Sequence, residues 1–468
     1  MQKTQQRGHS RRGPGGYVVL EPDGGAGKNR EFKLGYSDLD RLKAYLNRYA
    51  ITFGLFQDNT FQDRLFPFGT VPRVIGPWEF DTLEKGLRQR VHALNLFLHD
   101  IYHERKVLRD KIVPEEFVFS CPAYLPEVYG VRPPAGVYAH LSGIDLVQAA
   151  DGTWFILEDN LRVPSGASYP LIAREAYHTV CPGLISGMPV RESRDYPNML
   201  GRVMDDVNPG GISVVLSPGR FNAAFFEHSY LAEKMGVPLV FGNDLEVDGE
   251  FVYFKDVGGH RERVGAVYRR LSDEYLDPMV FEPDSIIGVP NLMSVYRKGN
   301  VAVINAVGNG IADDKGIYYF VPALIKYYLG EEAILRNAPT YLPFFERDRK
   351  HVLQNLHRLV IKDVAEAGGY GVVFGSRLSA DKRRLLADAI RTEPRRFIGQ
   401  EVVEFRSLQV FDQHRVVRRR ADLRAYVLHG KDISVWPSGL TRYAMDRGSM
   451  IVNSSQGGGF KDTWVLSL

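Results

Sequence analysis

The sequence predicts an α/β protein assembled from α+β lobes, and three segments carry that prediction. Ser213-Val214-Val215-Leu216-Ser217 reads as a buried strand, Asn222 to Met235 as a helix stopped by Gly236, and Val237 to Phe241 as a second strand. That is a Rossmann-like βαβ unit. Its first loop, Pro218-Gly219-Arg220, lacks the glycine fingerprint of a dinucleotide site. Strands around His357 to Phe374, a helix from Ser379 to Ile390 and a strand after Phe397 form a second, compact lobe. Asp151-Gly152 between two apolar runs marks a two-residue hairpin turn inside Leu141 to Asn160.

The chain has 468 residues, 44% of them hydrophobic and 25% charged. That length suits about three domains and a core that needs no disulfide or metal staples. Ordinary apolar content, with 46 Gly and 26 Pro in no strict period, excludes collagen, coiled coil and wholesale disorder. Fifty-nine basic against 56 acidic residues leave a net charge of +3, which argues against a general nucleic-acid coat. Cys121 and Cys181 make neither a disulfide framework nor a four-thiolate zinc site, so a reducing cytoplasm is expected. No apolar run reaches the roughly 18 residues of a membrane-spanning helix. Lys3, Arg7, Arg11 and Arg12 precede no apolar segment, so the start does not read as a secretory signal.

Taken in order, residues 1–30 read as a disordered, Gly-rich tail. Gly24 to Asn29 mimics a phosphate loop but has Pro22 and Asn29 where Gly and Ser or Thr are required. Ser37 with Asp40 suggests a capping-box start to a helix that places Leu39, Leu42, Leu46 and Tyr49 on one face. Leu83, Leu87, Val91, Leu94, Leu98 and Ile101 recur at helical spacing from Glu79 to about Leu108. On that helix His99 and His103 lie four apart, but without an intervening Glu after the first His or a nearby third ligand a surface or half-buried role is favoured over a metal. Gly136 to Tyr169 reads as strand-rich, Gly316 to Leu329 as a helix, and Asp422 to Leu468 as strands with Gly-rich turns. The expected division is a tail (1–30), an N-terminal helical segment (31–110), a first core part (111–205), the Rossmann-like subdomain (206–340), a small lobe (341–420) and a second core part (421–468).

The hairpin carries the chemistry. With Asp151 and Gly152 as the loop, paired positions sum to 303, so Ala150 faces Thr153 and Asp145 faces Glu158. Asn160 lies one step along on the same face. Opposed carboxylates, with Cβ atoms about 5 Å apart, repel unless a cation stands between them. Two carboxylates and an amide oxygen are hard ligands suited to Mg²⁺ bound together with phosphates. An exposed acidic face, a register slip or an arginine partner such as Arg162 would also account for the pattern. Lys362 ends a β-type run, and Gly368, Gly369 and Gly371 follow, where backbone N–H groups can surround an anion. Lys315 opens a helix after the Gly-rich stretch 307–311, and the segment from Asn453 to Lys461 is a further cradle or a plain loop. Arg415, Arg418, Arg419 and Arg420 could suggest nucleic acid, but a solvated strand edge is the better reading.

Four blocks give a resemblance. They are Glu158-Asp-Asn-Leu-Arg-Val-Pro-Ser-Gly-Ala-Ser-Tyr169, Asn305-Ala-Val-Gly-Asn-Gly-Ile-Ala-Asp-Asp-Lys315, Val360-Ile-Lys-Asp-Val-Ala-Glu-Ala-Gly-Gly-Tyr-Gly371, and Gly439-Leu-Thr-Arg442 with Val452-Asn-Ser-Ser-Gln-Gly-Gly-Gly459. In type and order they resemble the bacterial circularly permuted ATP-grasp family, which is similar to the synthetase domain of glutathionylspermidine synthase. The resemblance implies two α+β lobes that clasp ATP beside a Rossmann-like subdomain, with the metal-ligand strands ahead of the nucleotide-binding lysines. By motif position it implies Asp145, Glu158 and Asn160 for Mg²⁺ and Lys315 and Lys362 for the ATP phosphates. It likewise implies Gln400, Glu401 and Val403 as the hinge at adenine and Arg442 for the transferred phosphoryl group.

There is one departure: the family's arginine two residues before the first metal carboxylate is Gly143 here. Arg162 or Arg424 is the expected replacement, and no pocket for glutathione or a polyamine is recognisable. The implied activity is ATP-dependent ligation of a small-molecule or peptide carboxylate to an amine through an acyl phosphate, with a protein partner as an open option for supplying the peptide. Neither a nucleic-acid nor a membrane partner is expected. The competing reading is a nucleotide-binding regulatory or scaffold protein that keeps the fold without turnover.

Overall fold

The longest strand, Arg415–His429, runs through the middle of the largest sheet. One flank pairs antiparallel with Leu141–Gln148 and the other with Leu440–Tyr443, itself paired to Gly459–Lys461. Trp154–Asn160 lies outside Leu141–Gln148, and Arg336–Asn337 forms the edge beyond it. Alternation decides what each face does. Ile144, Leu146, Leu423, Ala425 and Val427 enter the main core, whereas Asp145 and Arg424, paired with each other, take the opposite face. In this computed structural model the described residues are 16–20, 22, 32–49, 52–57, 60–256, 258–364, 371–449, 452 and 458–468.

Helix Pro77–Ile101 covers the apolar face together with helix Lys315–Leu329. Its heptad-like positions Leu83, Leu87, Val91, Leu94, Leu98 and Ile101 are all buried, each contributing about 1.5–3 kcal/mol of apolar burial. The Rossmann-like sheet has Ile212–Leu216 parallel to both Leu239–Val240 and Arg261–Arg269, as the βαβ reading expects, with helix Phe225–Met235 ending at Gly236 between them. Ala302–Ile304 adds a further parallel strand. A separate four-stranded sheet orders Thr340–Tyr341, Phe397–Gln400, Val360–Asp363 and Val372–Phe374. Helices Glu346–Asn355 and Ala380–Thr392 pack on it around Val352, Leu359, Ile361 and Ile390.

Several boundaries differ from the sequence reading. Tyr17–Leu20 pairs with Phe32–Gly35, burying Val18 and Leu20, so the stretch read as a disordered tail contains a strand. Helix Tyr36–Arg48 is capped at Gly35 and Ser37 lies within its first turn, so there is no capping box; Tyr49 is exposed beyond its end. The long helix stops at Ile101 because the Asp100 carboxylate accepts the N–H groups of Lys106 and Val107 (2.8 and 2.7 Å) and turns the chain into the short helix Lys106–Arg109. The stretch expected to stay strand-rich to Tyr169 becomes helix Ser168–Val180. The boundary placed after residue 420 falls inside Arg415–His429. His99 and His103 stack at 4.3 Å, with the His103 Nδ1 bonded to the His99 carbonyl, a packing role. The segments 24–29 and 453–457 lie outside the described residues. Among those residues no helix is long and apolar enough to cross a membrane.

Candidate active site

The hairpin reaches the expected pairing by a different route. Ala149 N–H donates to the Thr153 carbonyl at 2.8 Å, so the loop has three residues, Ala150 to Gly152, and pairs near it sum to 302. Gly152 holds φ +90°, a left-handed position that such three-residue loops need. A bulge between Leu146 and Asp145, with Leu157 as the extra residue, then restores the sum to 303. Asp145 thus faces Glu158 and Gly143 faces Asn160.

Two further strands complete a charged surface. Arg424 lies opposite Asp145 and Arg442 opposite Asp422, so strand pairing alone brings all four together with Glu158. Arg424 binds Asp145 bidentately, Nε to Oδ1 at 2.6 Å and Nη2 to Oδ2 at 2.9 Å. Arg442 donates from Nη2 to Asp145 at 2.8 Å and from Nε to Asp422 at 3.0 Å. Burial opposes charge on Asp145, but the Arg424 and Arg442 guanidiniums outweigh it and hold the carboxyl well below the usual range. Asp422 is pushed up by burial despite its Arg442 partner.

Gly143 also has a structural reason. A Cβ there would stand 2.9 Å from Pro164 Cβ and 3.3 Å from Arg424 Cδ. The stem of Arg424 passes over the glycine and brings a guanidinium onto Asp145 from the neighbouring strand. Arg162, the other candidate, pairs with Asp313 at 3.6 Å, and neither it nor Arg424 is among the residues that line the cleft. Asp313 also accepts the Leu161 and Arg162 N–H groups, fixing the chain just after the hairpin.

Lys315 opens its helix directly after Asp314, whose carboxylate caps the Gly316 N–H at 2.7 Å. Its Nζ lies 4.0 Å from Glu158 Oε2. Lys362 comes from the small-lobe sheet, paired with Val372 and Ile398, and is 8% exposed. Burial lowers it to about 8, against the pull of the Glu158 carboxylate. Both lysines, Asp145, Glu158, Asp422 and Arg442 line one open cleft. Leu157, Val360, Val372, Phe374 and Val403 give it an apolar wall, beside the connecting segment Gln400, Glu401 and Val402. That segment is anchored by the Glu401 N–H on Pro339 O (2.8 Å) and by Tyr341 and Arg358 on the Glu401 carboxylate (3.2 and 3.4 Å).

Of the residues expected from sequence, Asp145, Glu158, Lys315, Lys362, Gln400, Glu401, Val403 and Arg442 therefore converge. Asn160 continues the same strand face outside the cleft lining, its Nδ2 buried without a hydrogen-bond partner. Gly371, at φ +70°, closes the turn after Lys362 by accepting the Asp363 N–H at 3.2 Å. Gly368 and Gly369 lie outside the described residues. Asp422 was missed; its signal was its place two residues before Arg424 on one strand face. Among the described residues, no three His, Cys, Asp or Glu side chains form a ready-made metal cage. The facing carboxylates Asp145 and Glu158, with the Asn160 amide one step along the strand outside the lining, are hard oxygen donors of the kind that bind Mg²⁺ together with phosphate oxygens and water.

The chain matches the family described as circularly permuted ATP-grasp type 2 over residues 72–444. An uncharacterised protein of Synechocystis sp. is 47% identical over 422 residues, covering 89% of this chain and 88% of that protein. A Frankia casuarinae protein named "Putative glutamate--cysteine ligase 2-2" is 40% identical across 90% of this chain, which spans only 49% of that relative's length. Among solved structures, a glutathione synthetase-like effector from Globodera pallida, in its apo form, aligns with a TM-score of 0.56 at 11% identity. The alignment covers 92% of this chain and 96% of that one, and it shows a shared fold. Hairpin carboxylates, two lysines on separate lobes and an arginine from a later strand occur in the permuted order, and the match spans most of the chain: it belongs to the circularly permuted ATP-grasp type 2 family.

Proposed function

We propose that this protein is an ATP-dependent carboxylate–amine ligase that works through an acyl phosphate. The observation that carries the reading is the convergence of Lys315, Lys362, Arg442, Asp145 and Glu158 on one cleft that also has an apolar wall. In this reading the wall takes the adenine and the segment from Gln400 and Glu401 to Val403 lines its edge. Lys362 and Lys315 contact the phosphates, and Lys315 has the positive end of its own 15-residue helix behind it. Asp145, Glu158 and Asn160 would hold Mg²⁺, which would supply positive charge to offset that of the phosphates.

A substrate carboxylate oxygen attacks the γ-phosphorus, the bond to the β-phosphate oxygen breaks, and ADP leaves. An amine then attacks the acyl carbon, and the amide forms as phosphate departs and the amine loses a proton. Arg442, held in place by Asp422, faces the phosphoryl group in flight. Arg424, whose stem covers Gly143, acts from behind the lining by holding Asp145 with Nε and Nη2 while Nη1 is fixed on the Ser165 carbonyl. Catalysis of this kind is positioning and charge stabilisation.

The name of the Frankia relative makes glutamate and cysteine the first acid and amine to test. Likeness to glutathionylspermidine synthase is kept as a family-level resemblance, without its substrates. Both cysteines are free and buried, which suits a reducing cytoplasm, with small molecules as partners and neither nucleic acid nor membrane. One observation favours the scaffold reading: both Asp145 oxygens are already engaged by arginines. The two readings separate in an ADP-release assay with Mg-ATP and paired acids and amines. Ligation predicts ADP and phosphate only when both partners are present, and a loss of about 100-fold or more in Lys362→Met. ATP binding without ADP release for any pair would favour the scaffold.

A further inference from the structure

Arg395 is not among the residues that line the cleft, yet it ties the two lobes together at the root of Lys315. It sits in the turn Pro394–Arg396, directly before strand Phe397–Gln400. Its guanidinium reaches the main body and grips Asp314 with both prongs, Nη2 to Oδ2 at 2.8 Å and Nη1 to Oδ1 at 3.3 Å. Nη2 also donates to the Phe117 carbonyl at 3.2 Å, and the guanidinium lies 3.9 Å from the centre of the Phe117 ring. Asp314 is the N-cap of the helix that begins with Lys315, and its Oδ2 accepts the Cys121 thiol at 3.2 Å. Lys362, meanwhile, pairs with Ile398, one residue into the strand that Arg395 leads.

The strand Phe397–Gln400 is therefore held at both ends. Its last residue runs into the connecting segment, where the Glu401 N–H is fixed on Pro339. Its first follows Arg395. The small lobe also rests on the main body through Phe344 on Phe117 and Phe345 on Tyr319 and Phe320, and Arg395 adds the one directional, charged tie at the root of Lys315 among these contacts. We propose that Arg395, acting through Asp314, is a positioning residue that sets the spacing of Lys315 and Lys362 across the cleft. The inference rests on the ligase reading only in taking those two lysines as a phosphate-binding pair. Lysine could not replace it, because the site uses a planar fork and a stacked face as well as a charge.

The test uses the full chain in a Cys181→Ser background, with calorimetric Mg-ATP binding and the rate of Cys121 alkylation. Burial and the Asp314 carboxylate push the Cys121 thiol up to about 12, so alkylation in the closed protein is slow. Arg395→Met should weaken Mg-ATP by about tenfold and speed alkylation by a similar factor even though losing the cation by itself pushes the thiol further up, and Asp314→Asn, which keeps the helix cap, should weaken Mg-ATP in the same direction. Because Arg395 works through lysine placement, Arg395→Met should cost much less than tenfold once Lys362 has been replaced by Met. Losses that simply multiply would show that Arg395 contributes stability alone and would overturn the proposal. So would variants that bind Mg-ATP and shield Cys121 as the parent does. If the parent itself fails to bind Mg-ATP, the ligase reading falls. The latch is then judged by alkylation alone: a faster rate in Arg395→Met supports it and an unchanged rate overturns it.

Discussion

Lys362 is the residue on which the proposed nucleotide site turns, because it is an ammonium group kept almost out of water. Its pKa near 8 in the ligand-free protein must rise when phosphates arrive, since negative charge favours the protonated form. Binding above pH 8 therefore takes up a proton. Mg-ATP affinity should be level from pH 7 to 8 and fall by up to about tenfold per pH unit above it. Calorimetry across pH 7–9.5 checks this, and Lys362→Arg should flatten the profile. The site residues near one another in sequence were legible because turn chemistry and alternation are local. Even so, Asp145 and Glu158 were paired by a two-residue loop that does not exist; the real loop and the bulge at Leu157 cancel. Arg424 against Arg162 could not be decided in the same way, since the partner of Asp145 lies 279 residues along the chain.

At the scale of elements, the hairpin is seated by a contact behind it. Arg90, on helix Pro77–Ile101, grips Asp159 with Nε and Nη2, both at 2.6 Å, and reaches Asn337 from Nη1 at 2.8 Å. Both partners are only 1% exposed, and Asp159 stands between Glu158 and Asn160 in the strand. Arg90→Met leaves an uncompensated buried carboxylate and should destabilise the fold by about 3–5 kcal/mol, with the double variant Arg90→Met/Asp159→Leu recovering much of that. Denaturant unfolding measures both. The helices were the most legible elements, since long apolar periodicity has few competing explanations. The strand Tyr17–Leu20 was not legible: four apolar residues among glycines gain their stability from Phe32–Gly35 and the core, neither of which the local pattern shows.

The whole molecule also buries neutral histidines where the large sheet meets the Rossmann-like subdomain. His140 precedes Leu141, whose N–H is held by Asn305, and the His140 carbonyl accepts the His429 N–H at 2.7 Å. Both nitrogens of the His140 ring and the His429 Nδ1 are buried without hydrogen-bond partners. Burial lowers His140 to about 3 and His429 to about 4. Their folded pKa values lie below the unfolded value near 6.5, so the unfolded chain takes up protons first as pH falls. Stability should be full above pH 6.5 and then decline, each imidazole approaching about 1.4 kcal/mol per pH unit near pH 5. Chemical unfolding at pH 7.5, 6 and 5 tests the slope, and His140→Gln should reduce it. At this scale the motif order made the permuted architecture readable, whereas the edge of the small lobe was not, because one 15-residue strand serves both sides of the expected boundary.

The central claim is that the cleft between Lys315 and Lys362 binds Mg-ATP. Thermal unfolding with and without Mg-ATP, on the parent chain and on Lys362→Met, tests it most directly. At 100 times its dissociation constant a ligand adds about 2.7 kcal/mol, enough for a rise of about 2 °C in a chain of this size. The account predicts a magnesium-dependent rise in the parent that is absent in Lys362→Met. No shift in the parent at millimolar Mg-ATP, or an equal shift in both proteins, would contradict it.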